Sequence, residues 1–181
     1  YGEIMMPFRS IIRNNLKKLD ELDIRMVAPS HGPVWRQPRI ILDAYRQWVN
    51  DDALRNHVVV AYVSMHDSTK KMTDYFVDAL MDRGVSVTQF NLTTADIGEM
   101  VIELVDAATV ILGSPTVLVG AHPKAMYAAA LVNALRPKVR HFGIIGSFGW
   151  GSKMVEQITG LLSNLKAEVF EPVLSKGMAK D

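Results

Sequence analysis

The sequence contains no cysteine. That absence excludes disulfides, thiol catalysis and thiolate-held metal, and it fits a cytoplasmic protein without cross-links. No apolar run reaches the ~20 residues that a membrane-spanning helix needs, so no membrane association is expected. Blocks of one charge are missing too. Lys and Arg never occur more than two in succession, and 20 basic against 19 acidic side chains leave a net charge of +1. A nucleic-acid partner, which calls for a basic face or stripe, is not expected.

What the chain does have is ordered hydrophobicity. Apolar residues make up 49% and charged residues 22%, the balance of an ordinary globular protein. Its 181 residues leave room for one domain and part of another at the usual ~100–150 residues per domain. Tyr1 opens in mid-pattern and Asp181 follows no closing element, so the expectation is a piece of a longer protein.

From Ala53 onward, Val- and Ile-rich runs alternate with amphipathic segments. "HVVVAYV" (57–63), "VSVTQFNL" (85–92), "ATVILGS" (108–114), "VRHFGIIGS" (139–147) and "AEVFEPVL" (167–174) read as strands. The segments between them carry helical spacing, with Gly84 and Pro137 as stop signals. Such alternation predicts an α/β fold with a parallel sheet, helices on both faces and right-handed crossovers. Five strands fit a flavodoxin-like, doubly wound order 2-1-3-4-5, whose ligand crevice lies at the carboxyl ends of strands 1 and 3. No helix follows the fifth strand, so one sheet face lacks its last cover.

The first ~50 residues depart from this rhythm. "PFRSIIRNNLKKLDELD" predicts a helix with Ile11, Ile12, Leu16 and Leu19 on one face, and "PRIILDAYRQWVND" a second, with Pro38 in its first turn. Between them "IRMVAPSHGPVW" predicts a short strand entering a Pro/Gly turn. "NDDALRN" separates the parts, giving residues 1–52 and 53–181.

Three loops share the expected crevice edge. The first, Ser64, Met65, His66, Asp67, Ser68 and Thr69, offers hydroxyls and N–H groups at a helix start. A phosphate needs these, and so does a plain helix cap. The second runs Ser114, Pro115, Thr116, Val117, Leu118, Val119; the third Ser147, Phe148, Gly149, Trp150, Gly151, Ser152. Each begins with Ser at a strand end, and His66 and Trp150 can lie against a flat ring. Together they predict a phosphate nest with walls for a planar ligand, in keeping with flavin mononucleotide (FMN). A phospho-receiver domain is excluded, because Gly113 and Ser114 stand where its aspartate would be. A dinucleotide fold is excluded because no GxGxxG follows the first strand.

"SMHDSTKKM", "GSPT" followed by "HP", and "GSFGWG" resemble the three flavin loops of the flavodiiron proteins, or A-type flavoproteins. "MMPF" and "APSHGPVW" resemble the end of that family's metallo-β-lactamase-like domain, so residues 1–52 are expected to be its fragment. The resemblance implies that His31 is one ligand of a non-haem diiron centre, with the remaining ligands upstream of Tyr1. From the residues alone, with no second His or carboxylate nearby, a turn histidine with one backbone bond is the favoured reading, and only the resemblance reverses it. Three departures stand out. Val117, Leu118 and Val119 replace polar residues, Phe148 replaces a Tyr, and Asp67 takes a common Gly position, where it is expected to accept the N–H of Lys70 as a helix cap.

The expectation is therefore the FMN-binding electron-transfer part of an oxidoreductase that reduces dioxygen to water or nitric oxide to nitrous oxide at a diiron centre. The resemblance further implies a head-to-tail homodimer and a reduced donor such as rubredoxin, a deazaflavin or an NAD(P)H-linked reductase. No residue reads as a catalytic acid, base or nucleophile. The competing reading is a stand-alone flavodoxin-type carrier without diiron chemistry.

Overall fold

The computed structural model describes residues 1–52 and 54–178. Ala53, where the sequence places the boundary between the two parts, and residues 179–181 lie outside the described residues. The strands are β1 (Arg55–Tyr62), β2 (Ser86–Asn91), β3 (Ala107–Val117), β4 (Gly120–Ala121), β5 (His141–Phe148), β6 (Glu168–Val169) and β7 (Val173–Lys176). The helices are α1 (Arg9–Leu19), α2 (Pro38–Val49), α3 (Ser68–Met81), α4 (Ile97–Glu103), α5 (Pro123–Leu135) and α6 (Met154–Leu161).

The sheet order is β2-β1-β3-β5-β6, parallel along the whole path. It is the expected 2-1-3-4-5 order, because β5 is the fourth predicted run and β6 begins the fifth. That fifth run is split: β6 pairs with the start of β5 and β7 with its end. Pro172 lies in the gap, where it has no N–H to give a ladder. The short β4, not expected, adds antiparallel to the end of β3.

Alternation along β1 explains its unbroken apolar run. Val59 and Ala61 join the large core with Met100 of α4, Ala129 of α5 and Ile158 of α6. Val58 and Val60 point the other way, to Ile111 and to Val77 of α3. Both faces are buried from Val58 onward, so no charged or amide side chain interrupts that part of the strand. Beside α3 the second face keeps an apolar groove of about 300 Å3, lined by Met72, Phe76, Gly143, Ile145, Phe170 and Val173.

Helix ends follow local chemistry. Gly84, at φ +73°, closes α3 while the N–H of Val85 donates to Leu80 O (3.1 Å). The Asp96 side chain accepts from Gly98 N (2.7 Å), which starts α4 there. His122 Nδ1 accepts from Lys124 N (3.1 Å) ahead of Pro123 in α5.

The arm before β1 holds α1 and α2 as expected, with two corrections. Ile11 is exposed, so the apolar face of α1 is narrower than its pattern; Leu16 is buried. The short strand expected ahead of the Pro/Gly turn within residues 24–35 reduces to a single antiparallel bridge between Val27 and Trp35. The arm is packed onto the sheet domain. Met6 is buried in the large core, and Lys138 Nζ donates to the carbonyls of Gln47 (3.2 Å) and Asn50 (2.9 Å).

Candidate functional site

The three loops converge at the carboxyl ends of β1, β3 and β5, around a cleft of about 330 Å3. From the first loop Ser64, Met65, His66, Ser68 and Thr69 line it; Pro115, Thr116 and Val117 come from β3. Ser147, Phe148 and Gly149 complete the expected lining. Asp67, Ser114, Leu118, Val119, Trp150, Gly151 and Ser152 fall outside it.

The first loop turns sharply because Asp67 is left-handed, at φ 57°. This is a conformation that glycine adopts freely and Asp tolerates better than most residues. It turns the Asp67 carboxylate away from its expected role, since Asp67 makes no side-chain cap bond. The hydroxyl of Ser64 accepts the N–H of Lys70 instead, at 3.2 Å. Asp67 still contributes its carbonyl, which accepts from Lys71 N (2.8 Å). Thr69 is 1% exposed, and its Oγ1 lies 3.4 Å from Ser147 Oγ. Tyr62, ending β1, has its phenol pushed up by burial.

The second loop is less of a loop than its Pro and Gly content implies. β3 stays extended through Val117 and turns at Leu118 and Val119 into β4. Both turn residues have positive φ, 49° and 72°, as a two-residue hairpin demands. The hairpin is held from α6: Gln157 Oε1 accepts from Ala121 N (2.9 Å), and Lys153 N donates to Val119 O (2.6 Å). Ser114 is fully buried; its hydroxyl donates to Pro115 O (2.8 Å) and accepts from His122 N (3.0 Å). Its side chain therefore braces the hairpin instead of facing a ligand.

In the third loop, Ser152 Oγ meets Thr116 Oγ1 at 2.8 Å, tying it to the second, and accepts from Met154 N (3.1 Å) at the start of α6. The indole of Trp150 is fully exposed and stands clear of the cleft wall. With glycine on either side, neither of which would meet an atom within 4 Å if given a Cβ, nothing packs the ring down. The ring wall expected from Trp150 is thus not formed by its side chain, whereas Phe148 does line the cleft.

Gly177 and Met178 close the cleft from β7 and were not among the expected residues. Gly177, at φ 80°, donates its N–H to Phe148 O (2.7 Å). The signal for it was the one used elsewhere, a glycine at the carboxyl end of a strand.

The chemistry of this donor set suits a phosphate ester. Ser64, Ser68 and Thr69 supply hydroxyls at the start of α3, where the helix presents its first-turn N–H groups and the positive end of its dipole. Beyond them the cleft is walled by apolar and ring atoms, as a flat heterocycle requires. His31 lies exposed on the turn between Val27 and Trp35. Among the described residues no three His, Asp or Glu side chains gather for a metal, so the residues present do not make a complete diiron site. Among them, too, no helix is long and apolar enough to cross a membrane.

No family model matches the chain. Its sequence is 32% identical over 183 residues to the nitric oxide reductase of Moorella thermoacetica, covering 98% of this chain and 44% of that protein. It is 31% identical over 181 residues to the coenzyme F420H(2) oxidase of Methanothermobacter marburgensis, covering 93% and 42%. The rubredoxin oxygen:oxidoreductase of Desulfovibrio gigas superposes with a TM-score of 0.92 at 25% identity, over 99% of this chain and 46% of that one. The chain spans just under half the length of the curated relatives it matches. Its relatives and structural neighbours are flavodiiron proteins, and what it shares with them includes a flavodoxin-like domain.

Proposed function

We propose that this chain is the FMN-binding, electron-transfer part of a flavodiiron oxidoreductase that reduces dioxygen or nitric oxide. The observation that carries the reading is the cleft itself: hydroxyls of Ser64, Ser68 and Thr69 at the start of α3, facing Pro115–Val117 and Ser147–Gly149. FMN supplies the redox chemistry when bound. The chain's own part is to bind its phosphate, to cover its ring with Phe148 and the β3 edge, and to exclude water from that side.

Residues 1–52 are read as the end of a metallo-β-lactamase-like domain, with His31 as one ligand of a diiron centre. The other ligands belong to a longer polypeptide, as the doubled length of the relatives supports. A head-to-tail homodimer and a rubredoxin-, deazaflavin- or NAD(P)H-linked donor complete the proposal.

The test has two stages. The 181-residue chain should bind FMN one-to-one, without adenine dinucleotide preference, and hold little iron by elemental analysis. The longer polypeptide should hold iron and consume dioxygen or nitric oxide with a reduced donor. Flavin without iron in that longer protein would leave a flavodoxin-type carrier. No flavin in either would sink the reading.

A further inference from the structure

A second polar cavity, of about 400 Å3, lies between the N-terminal arm and the segments that leave α5 and α6. Those segments lead into β5 and β6, so it sits at the amino ends of the strands, away from the flavin cleft. Arg9, Arg13, Arg136 and Lys166 line it, and Asp51 is the one carboxylate among its described lining residues. The excess positive charge there is larger than the net +1 of the whole chain.

Two of these cations are held in place. Arg9 donates to Arg136 O (2.5 Å) and to Asp51 Oδ1 (3.3 Å). Arg13 donates to Val49 O (3.0 Å) and to Asp51 Oδ2 (2.6 Å). Each guanidinium has five N–H groups in a fixed fork, so both keep donors that these contacts leave unused. Arg136 and Lys166 pair with no carboxylate among the described residues, and Ser10 and Ser163 add hydroxyls to the same wall.

We infer that this cavity binds a small phosphorylated molecule, its phosphate or diphosphate set between the guanidinium groups of the arm and the cations of the sheet domain. A carboxylate presents acceptors in one plane, and Asp51 already takes that role on one side. A phosphate presents oxygens tetrahedrally, which matches donors arriving from α1, from the end of α5 and from the segment after α6. The cavity is roomier than an inorganic anion needs, which leaves space for an organic portion.

The probe is inorganic pyrophosphate, titrated calorimetrically into the protein at low ionic strength with excess FMN present. FMN keeps the flavin cleft's own phosphate cradle from answering. Sulfate and citrate serve as comparison anions. Pyrophosphate should bind one-to-one, and Arg136→Gln with Lys166→Gln should weaken it by about tenfold or more, as loss of charge-assisted bonds does. FMN affinity and thermal stability should not change, because neither side chain holds the fold. An affinity that survives the double substitution overturns the inference. So does weak, equal binding of all three anions, which identifies an adventitious ion only, and so does no binding at all.

Discussion

Thr69 is almost wholly buried, yet its hydroxyl faces a cleft and has one long contact, 3.4 Å to Ser147. A buried hydroxyl so loosely engaged is suited to a ligand oxygen. Thr69→Ala should raise the FMN dissociation constant about 10–100-fold, the range of a hydroxyl bond to a charged group. Thr69→Ser should stay within a few-fold. Fluorescence titration reads both, and an unaltered constant in the alanine variant takes Thr69 out of the site. Trp150 is the opposite case, a fully exposed indole with no packing to lose. Trp150→Leu should therefore move stability by less than about 0.5 kcal/mol. Trp35 and Trp48 are part-buried, so the variant should also lose the most solvent-exposed component of the emission. If FMN loading quenches the same fraction of emission with and without Trp150, the indole takes no part in the flavin site.

The hairpin β3–β4 places a leucine and a valine in left-handed backbone, where asparagine and glycine are the ordinary choices. Left-handed geometry costs an L-residue roughly 1–2 kcal/mol, and more awkwardly when the side chain is branched at Cβ. Val119→Gly should thus stabilise the fold by about 1 kcal/mol, since the Lys153 N–H to Val119 O bond uses only backbone. A fall in the thermal midpoint would show that the turn is held by side-chain contacts instead. This hairpin also marks where the sequence stopped being readable. The central strands β1, β3 and β5 were legible because burial on both faces demands unbroken apolar runs, as from Val58 to Val63. The more exposed edge strands were read from β-branched residues and their place between helical segments. "TVLVGA" carries no turn signature, so a turn imposed by Gln157 and Lys153 of another element could not be seen. The Asp67 cap was misjudged for a related reason: its left-handed backbone aims the carboxylate away, leaving Ser64 to serve. Gly177 escaped because its role depends on β7 pairing with β5 after the interruption near Pro172.

At the scale of the molecule, the arm carries an aromatic cluster of its own, and Tyr1 of that cluster packs against the large core of the sheet domain. The ring of Tyr1 stacks on Trp48 at 5.3 Å and meets Tyr45 edge-on at 5.9 Å, while its hydroxyl donates to Trp48 O (3.3 Å). Partly buried residues around it, Tyr1 included, pack against the large core. Burial, above all, pushes the Tyr1 phenol up to about 12. The unfolded chain gives up that proton near the ordinary tyrosine value of about 10. The contribution of Tyr1 is therefore fully present below about pH 10 and is lost as the pH rises through about 12. Discounted for partial exposure, the loss is about 1–2 kcal/mol. Tyr1→Phe keeps the stacking and cannot ionise in either state, so its stability should fall less over that interval. Denaturant midpoints for parent and variant at about pH 9 and about pH 11.5 make the comparison, other tyrosines being common to both. Parallel losses would mean that Tyr1 meets water in solution and does not pack against the large core.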